Sequence, residues 1–284
     1  MKMVRRSEEV RQLLSLTPQE VIQKSGNRLH VCKNLKALHE KFALDIFNEL
    51  KRTQSLNQEV ALILPIGPVG QYPILAKMIN KKGISLENCW LFFMDEYSDD
   101  EGKALRVDHP LSFKKIAKDQ FFSRIKKGIK LNEDQIIFPD ENNINMISKL
   151  ISKVGGIDTC YGGIGIHGHL AFNEPAENIA NTDPRLVRLN DFTITINAIR
   201  SNIGGNLENF PKKAYTIGMK QILNSRKIRL YCRNGSPYDW ANTVLRIALL
   251  GESGDDYPVT HIRTHPNYQI ITDYDTLKTP KIIL

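Results

Sequence analysis

Two stretches of the chain are apolar at every position. Val60-Ala-Leu-Ile-Leu64 runs into Pro65, and Cys89-Trp-Leu-Phe-Phe-Met94 runs into Asp95. Short continuous apolar runs of this kind fit strands buried on both faces, as in a parallel sheet. Further strand-like runs cover Leu29 to Cys32, Ile136 to Phe138, Thr159 to Tyr161, Lys213 to Met219, Lys227 to Cys232 and Tyr268 to Ile271. Helical spacing separates them. From Leu35 to Lys51 the apolar positions include Leu38, Phe42, Ile46 and Leu50, the recurrence of one buried helix face. Tyr72 to Asn80, Leu111 to Ile125, Met146 to Val154 and Tyr238 to Leu250 also read as helices.

Near the start, Thr17-Pro18 opens a helix that Gly26 ends, with Thr17 as N-cap and Pro18 at the first helical position. Residues 1–27 therefore read as a helical extension, and residues 28–284 as one domain. Strands alternating with helices predict βαβ units, an α/β class and a mostly parallel sheet. Ligands of such sheets gather outside the carboxyl ends of the strands. Pro65 to Gly70, Asp95 to Tyr97 and Gly162 to Pro175 all fall there, which predicts a single shared site.

Composition narrows the class. In 284 residues, 41% are hydrophobic and 25% charged, as in an ordinary globular protein. No apolar run approaches the roughly 18 residues that cross a membrane, so no membrane partner is expected. The opening Met1-Lys-Met-Val-Arg-Arg lacks the apolar core of a secretory signal, and the expected location is cytoplasmic. Cys32, Cys89, Cys160 and Cys232 are scattered and read as small buried hydrophobes. The net charge is +8, but its Lys and Arg are dispersed. No nucleic-acid partner is expected; a diffuse positive field also suits a small anionic substrate.

Candidate chemistry lies in two places. Asp95 and Glu96 stand at the lip of a buried strand, where partial desolvation raises a carboxyl pKa and makes a usable general base. Acidic residues after a strand also simply open loops or cap helices. The second place is Gly162-Gly-Ile-Gly-Ile-His-Gly-His-Leu-Ala-Phe-Asn-Glu-Pro175. Its glycines permit close backbone approach, and their amides can cradle an anion. His169 can move protons near neutral pH, and Glu174 can orient its ring. His167 and His169 also project to one side, as metal ligands must, with Glu174 or His265 as a third. A hydrogen-bonded loop role is the plainer alternative, and no metal is expected. His109 and His265 each precede proline and read as structural.

Three blocks in this order resemble the glucosamine-6-phosphate deaminase family, whose wider fold group includes 6-phosphogluconolactonase. They are Phe93-Met-Asp-Glu-Tyr97; His109-Pro-Leu-Ser-Phe113 with Phe121-Phe122; and the glycine-rich block ending Phe172-Asn-Glu-Pro175. His265-Pro266 is a weaker echo. The resemblance spans Leu29 to Asp273, and the Phe-Asn-Glu-Pro ending is specific to the deaminase branch. It implies a Rossmann-like three-layer domain and the aldose–ketose isomerisation of an amino sugar phosphate with loss of ammonia, without metal or organic cofactor. Asp95 matches the carboxylate that shuttles a proton between C1 and C2. His169 matches the histidine that assists ring opening, with Glu174 as its partner. Substrate contacts are expected from Gly67, Glu96, Gly165, Gly168 and Arg200, and self-association is the family's habit.

The chain also departs from the family's pattern. Ile66 and Val69 stand where that pattern has hydroxyls, and Pro68 lacks an N–H. No lysine occurs in Arg233-Asn-Gly-Ser-Pro-Tyr-Asp-Trp-Ala241, where the family has a phosphate-binding one. His167 replaces the usual aspartate two residues before the catalytic histidine. The expectation is an altered or lost phosphate site, with reduced deaminase activity or a related reaction on another sugar. A sugar-binding or regulatory protein and a lactone hydrolase are the alternatives.

Overall fold

The computed structural model of the chain describes residues 5–56, 58–234 and 240–284. The strands are β1 (Leu29–Cys32), β2 (Val60–Leu64), β3 (Cys89–Phe93), β4 (Asp95–Ser98), β5 (Ile136–Ile137), β6 (Thr159–Gly162), β7 (Arg185–Arg188), β8 (Lys213–Thr216), β9 (Lys227–Tyr231) and β10 (Tyr268–Asp273). The helices are α1 (Arg6–Ser15), α2 (Pro18–Ser25), α3 (Leu35–Leu56), α4 (Tyr72–Lys82) and α5 (Phe113–Gln120). They continue with α6 (Ile147–Lys153), α7 (Asp191–Arg200), α8 (Met219–Leu223), α9 (Ala241–Leu250) and α10 (Tyr274–Leu277).

Among the described residues, seven strands form one sheet in the order β1-β10-β9-β6-β2-β3-β5. Every neighbouring pair in it is parallel. Successive side chains of a strand point to opposite faces, and β2 shows the result. Ala61 and Ile63 pack with α6, α8 and α9, whereas Val60, Leu62 and Leu64 pack with α3 and α4. A sheet with helices on both faces is the three-layer arrangement expected of the fold class. No helix among the described residues is long and apolar enough to cross a membrane. The four cysteines are buried and free.

A second, antiparallel sheet has the order β4-β8-β7. The chain passes into it at Met94. The Met94 N–H donates to the Leu64 carbonyl of β2 (3.0 Å), and the Met94 carbonyl accepts from Ile217 N (2.8 Å), just beyond β8. Asp95 therefore begins a strand rather than a loop. Tyr97, Phe172, Leu189, Ile194, Ala198 and Phe210 form a small core against this sheet.

Several elements differ from the sequence pattern. The helix expected over 111–125 is α5 followed by a 3-10 turn at Phe122–Arg124, because Phe121 breaks the helical backbone. The strand expected to reach Met219 stops at Thr216, since Gly218-Met219 starts α8. Of the helix expected from Tyr238, the part from Ala241 is α9, and residues 238 and 239 lie outside the described residues. The sequence pattern does not predict β4, β7, α7, α8 or α10. Thr17 caps α2 with a reciprocal bond to Glu20, as its sequence indicated. Upstream, Arg6 of α1 pairs with Asp256 at 2.7 Å, and Arg246 of α9 donates to the Leu16 carbonyl at 3.1 Å.

Glu96 fixes the start of α5. Its carboxylate accepts from Phe113 N (2.9 Å), Lys114 N (2.8 Å), Tyr97 N (2.9 Å) and the Ser112 hydroxyl (3.1 Å). Two of these donors are helix-terminal amides with no partner inside the helix. Burial raises the Glu96 pKa, while the four hydrogen bonds oppose that shift. Glu96→Ala leaves all four donors without this acceptor, so a stability loss of about 3 kcal/mol is expected. Glu96→Gln, which keeps one acceptor oxygen, should lose clearly less. Urea denaturation of the two variants checks the order; equal losses would show that the carboxylate does not hold the helix end.

Candidate functional site

Segments after β2, β3, β6 and β9 meet around one cavity of about 310 Å³, at the carboxyl ends of central parallel strands. The loop after β2 forms one wall through Ile66, Gly67 and Pro68. Its shape is set from behind. The Tyr72 hydroxyl donates to the Pro65 carbonyl (2.5 Å), and Gln71 Nε2 donates to that of Pro68 (2.7 Å). The His39 ring packs where a Cβ on Gly70 would stand.

Asp95 lines the cavity at the junction of the sheets. No hydrogen bond reaches its carboxyl among the described residues. Burial first, and the charge of Glu96 second, push its pKa up to about 8. His169 lines the same cavity with Gly165. Its ring occupies the space a Cβ on Gly165 would need, so glycine there lets the imidazole lie against the backbone. Burial, then the neighbouring His167 and Arg200, hold the His169 pKa down to about 3.

Behind His169 runs a polar chain. His169 Nδ1 is 3.0 Å from His167 Nδ1, and His167 Nε2 is 2.7 Å from Asn190 Nδ2. Glu174 Oε2 accepts the Asn190 N–H at 2.9 Å, while its Oε1 is buried with no hydrogen-bond partner among the described residues. His167, His169 and Glu174 present ligand-type atoms within 4.8 Å of one another, and among the described residues this set has the chemistry to hold a metal. The two Nδ1 atoms already engage each other, however, and Asn190 occupies the far side of His167. The surrounding loop is rigidly tied. Asn173 Nδ2 donates to the carbonyls of Leu170 (3.0 Å) and Ile217 (2.8 Å), and Arg185 donates to Asn173 Oδ1 (2.9 Å).

Of the residues singled out in the sequence, Asp95, His169, Gly67, Gly165 and Arg200 line the cavity. Glu96, His167, Glu174 and Gly168 do not. Glu96 is occupied with α5, and His167 and Glu174 lie behind His169. Gly168, with φ of +74°, faces Tyr257 and Val259. One cation went unremarked as a ligand: Arg233, two residues past β9, lines the cavity with Arg200. Burial, and then the charge of Arg233, lower the Arg200 pKa. The Arg200 guanidinium also stands 5.4 Å from the Trp240 ring centre. Only the convergence of α7 and β9 reveals this pair. The loop of Ile66 and Pro68 is poor in donors, but the cavity is not poor in positive charge.

No protein-family model matches the chain. Among curated proteins, the glucosamine-6-phosphate deaminase of Caenorhabditis elegans is 31% identical over 211 residues, which is 72% of this chain and 74% of that one. The glucosamine-6-phosphate deaminase of Thermoanaerobacter pseudethanolicus is 28% identical over 246 residues, covering 84% and 90% respectively. Among solved structures, a monomeric glucosamine-6-phosphate deaminase superposes with a TM-score of 0.76 at 24% identity, over 88% of this chain and 98% of its own. A 6-phosphogluconolactonase from Shewanella baltica gives 0.60 at 19% identity, over 86% and 97%.

The raised Asp95 pKa links stability to pH. From the ordinary aspartic acid range up to about 8, the folded chain keeps a proton that the unfolded chain releases. The resulting stabilisation is full below that ordinary range and is lost as pH rises through about 8. His169 acts with the opposite sign, as pH falls from its ordinary value towards about 3, and does so with or without Asp95. Relative to Asp95→Asn, the wild type should therefore lose stability between pH 5 and 8, with a slope approaching about 1.4 kcal/mol per pH unit. Urea denaturation across that range measures it; parallel profiles would show an unperturbed carboxyl.

Proposed function

We propose that this chain, which belongs to the glucosamine-6-phosphate deaminase family, isomerises an amino sugar phosphate and releases its nitrogen as ammonia. One observation carries the proposal: an unpaired buried carboxyl, Asp95, and an imidazole, His169, border one cavity whose wall also holds Arg200 and Arg233.

The chemistry asks little else of the protein. In the open-chain aldose, a base removes the proton from C2 and returns it to C1. C1 is thereby reduced and C2 oxidised within one molecule, and no external redox partner is needed. The resulting C2 imine is hydrolysed by water, which leaves a ketose and ammonia. Asp95 is the group for the C2–C1 transfer, because a carboxyl with a pKa near 8 can both take and return a proton near neutrality. The positive charge of a bound substrate ammonium would favour its ionised form. His169 serves the substrate's oxygen atoms, at the hemiacetal during ring opening and at C1 afterwards. Glu174 supports it from behind through Asn190.

Two guanidiniums beside a cavity suit a phosphate dianion, since arginine presents several fixed donors to phosphate oxygens. Arg233 takes up the role left open by the missing lysine and the donor-poor loop at Ile66 to Pro68. A cytoplasmic setting, where sugar phosphates are retained, accords with this reading.

The test is an assay of glucosamine 6-phosphate that follows ammonia and ketose together. Equal release of both is expected, and Asp95→Asn should lower kcat by about a thousandfold, in the range for a removed general base. Saturable binding without turnover would instead favour a sugar sensor, and hydrolysis of a sugar lactone would favour the hydrolase branch. Arg233→Gln should raise KM for the phosphorylated substrate by roughly tenfold to a hundredfold, the equivalent of one charged hydrogen bond. Its kcat should change little. An unchanged KM would remove Arg233 from the anion site.

A further inference from the structure

We propose that Asn190 is a positioning residue that fixes the protons of the His167–His169 pair, so that His169 meets the substrate as a hydrogen-bond donor that keeps its own proton. The proposal rests on the assignment of this cavity as the active site, and it sharpens what His169 does there.

The starting point is the cap of α7. Asn190 Oδ1 accepts from Thr193 N at 2.9 Å as the N-cap bond of that helix. This use identifies the oxygen of the amide, so the atom facing His167 is the nitrogen. Asn190 Nδ2 lies 2.7 Å from His167 Nε2. An amide nitrogen only donates, so His167 Nε2 must offer a lone pair. The Thr193 hydroxyl, 3.5 Å from the same ring nitrogen, is able to donate to it as well. With Nε2 accepting, the proton of a neutral His167 ring is on Nδ1.

The next link follows by the same rule. His167 Nδ1 and His169 Nδ1 are 3.0 Å apart, and one must donate while the other accepts. His167 donates, so His169 Nδ1 accepts and the His169 proton is on Nε2. That nitrogen is the ring atom nearest the place a Cβ on Gly165 would take, at the cavity wall. The sense of the chain is therefore fixed from the helix cap outward: Asn190 to His167, His167 to His169, His169 to substrate.

The chemical role changes with this order. His169 has no lone pair free towards the cavity, so it cannot serve there as a base. Gaining a proton at Nδ1 would break the bond from His167, in a buried place with His167 and Arg200 beside it; the Glu174 carboxyl behind acts in the other direction. A neutral imidazole that holds its N–H towards a substrate oxygen stabilises negative charge as it develops on that atom. Asp95 is left as the group that moves protons. An aspartate at position 167 would do the reverse: it would accept from His169 Nδ1 and turn the Nε2 lone pair to the substrate. His167 is thus a replacement that reverses the polarity of the pair.

Nitrogen-15 NMR of the ring nitrogens in the unliganded full chain tests this without any substrate. In the wild type at neutral pH, His169 should show a protonated Nε2 and a bare Nδ1, and His167 the opposite pattern. Asn190→Asp keeps a good N-cap oxygen but removes the donor. It should exchange the two patterns on both rings. Asn190→Ser, which also caps, should lose the single pattern without the exchange. A wild-type His169 protonated on Nδ1, or patterns unmoved in Asn190→Asp, would overturn the proposal. If the patterns hold but glucosamine 6-phosphate is not turned over, the functional assignment fails and the tautomer order stands.

Discussion

One residue joins the two sheets. Met94 bonds through its N–H to the end of β2 and through its carbonyl to the chain just past β8, so the large sheet and the small one share a single peptide step. The rest of the site depends on this. Because the strand continues through the junction instead of turning out to solvent, Asp95 is placed in the interior, and its carboxyl has no hydrogen-bond partner among the described residues. The same junction brings Thr216 and Ile217 to the glycine-rich loop, where Phe172 N donates to the Thr216 hydroxyl (3.0 Å) and Asn173 to the Ile217 carbonyl (2.8 Å). The acid is therefore positioned by backbone hydrogen bonds at Met94, and the loop of the imidazole by bonds that each pair a side chain, Thr216 or Asn173, with the backbone.

The electrostatics of the cavity follow from burial more than from pairing. Asp95 is raised and His169 lowered, each with desolvation as the first cause. Both are therefore held towards their neutral forms when the cavity is empty, while Arg200 and Arg233 keep the positive charge. A ligand that brings a dianion to the arginines and an ammonium to Asp95 supplies the charges the empty pocket lacks. Such complementarity selects on charge before shape. It fits a pocket whose first loop, with Ile66 and Pro68, offers few directed donors.

Much of the fold was legible because two-sided burial leaves a plain mark. Val60 to Leu64 and Cys89 to Phe93 are apolar throughout for the same reason that they are central strands. Thr17-Pro18 was equally readable as a helix start. α7 was not. Phe192, Ile194 and Ile196 alternate with Thr193 and Thr195, a β-like pattern that the Asn190 cap and the packing of Ile194 and Ala198 override. In the site, Asp95 and His169 stood out because polar chemistry next to an apolar strand is conspicuous. Arg233 did not, since an arginine after a strand looks the same whether it faces solvent or Arg200. Glu96 was seen but its task was not: the helix end it serves lies seventeen residues further along the chain.

α7 also sets a limit of a different kind. Asn190, Thr193, Asn197 and Arg200 follow one another at spacings of three, four and three, so they share one face of the helix. Through that face the helix meets His167, Tyr97 and the cavity wall. Inserting or deleting a single residue near Asn190 would turn this face by about 100°. The Asn190 contact to His167, the Asn197 contact to Tyr97 and the Arg200 guanidinium at the cavity wall would then be lost together. Substrate preference here can be adjusted by exchanging side chains on a helix of fixed rotational phase, but not by altering the length of the segment that leads into it.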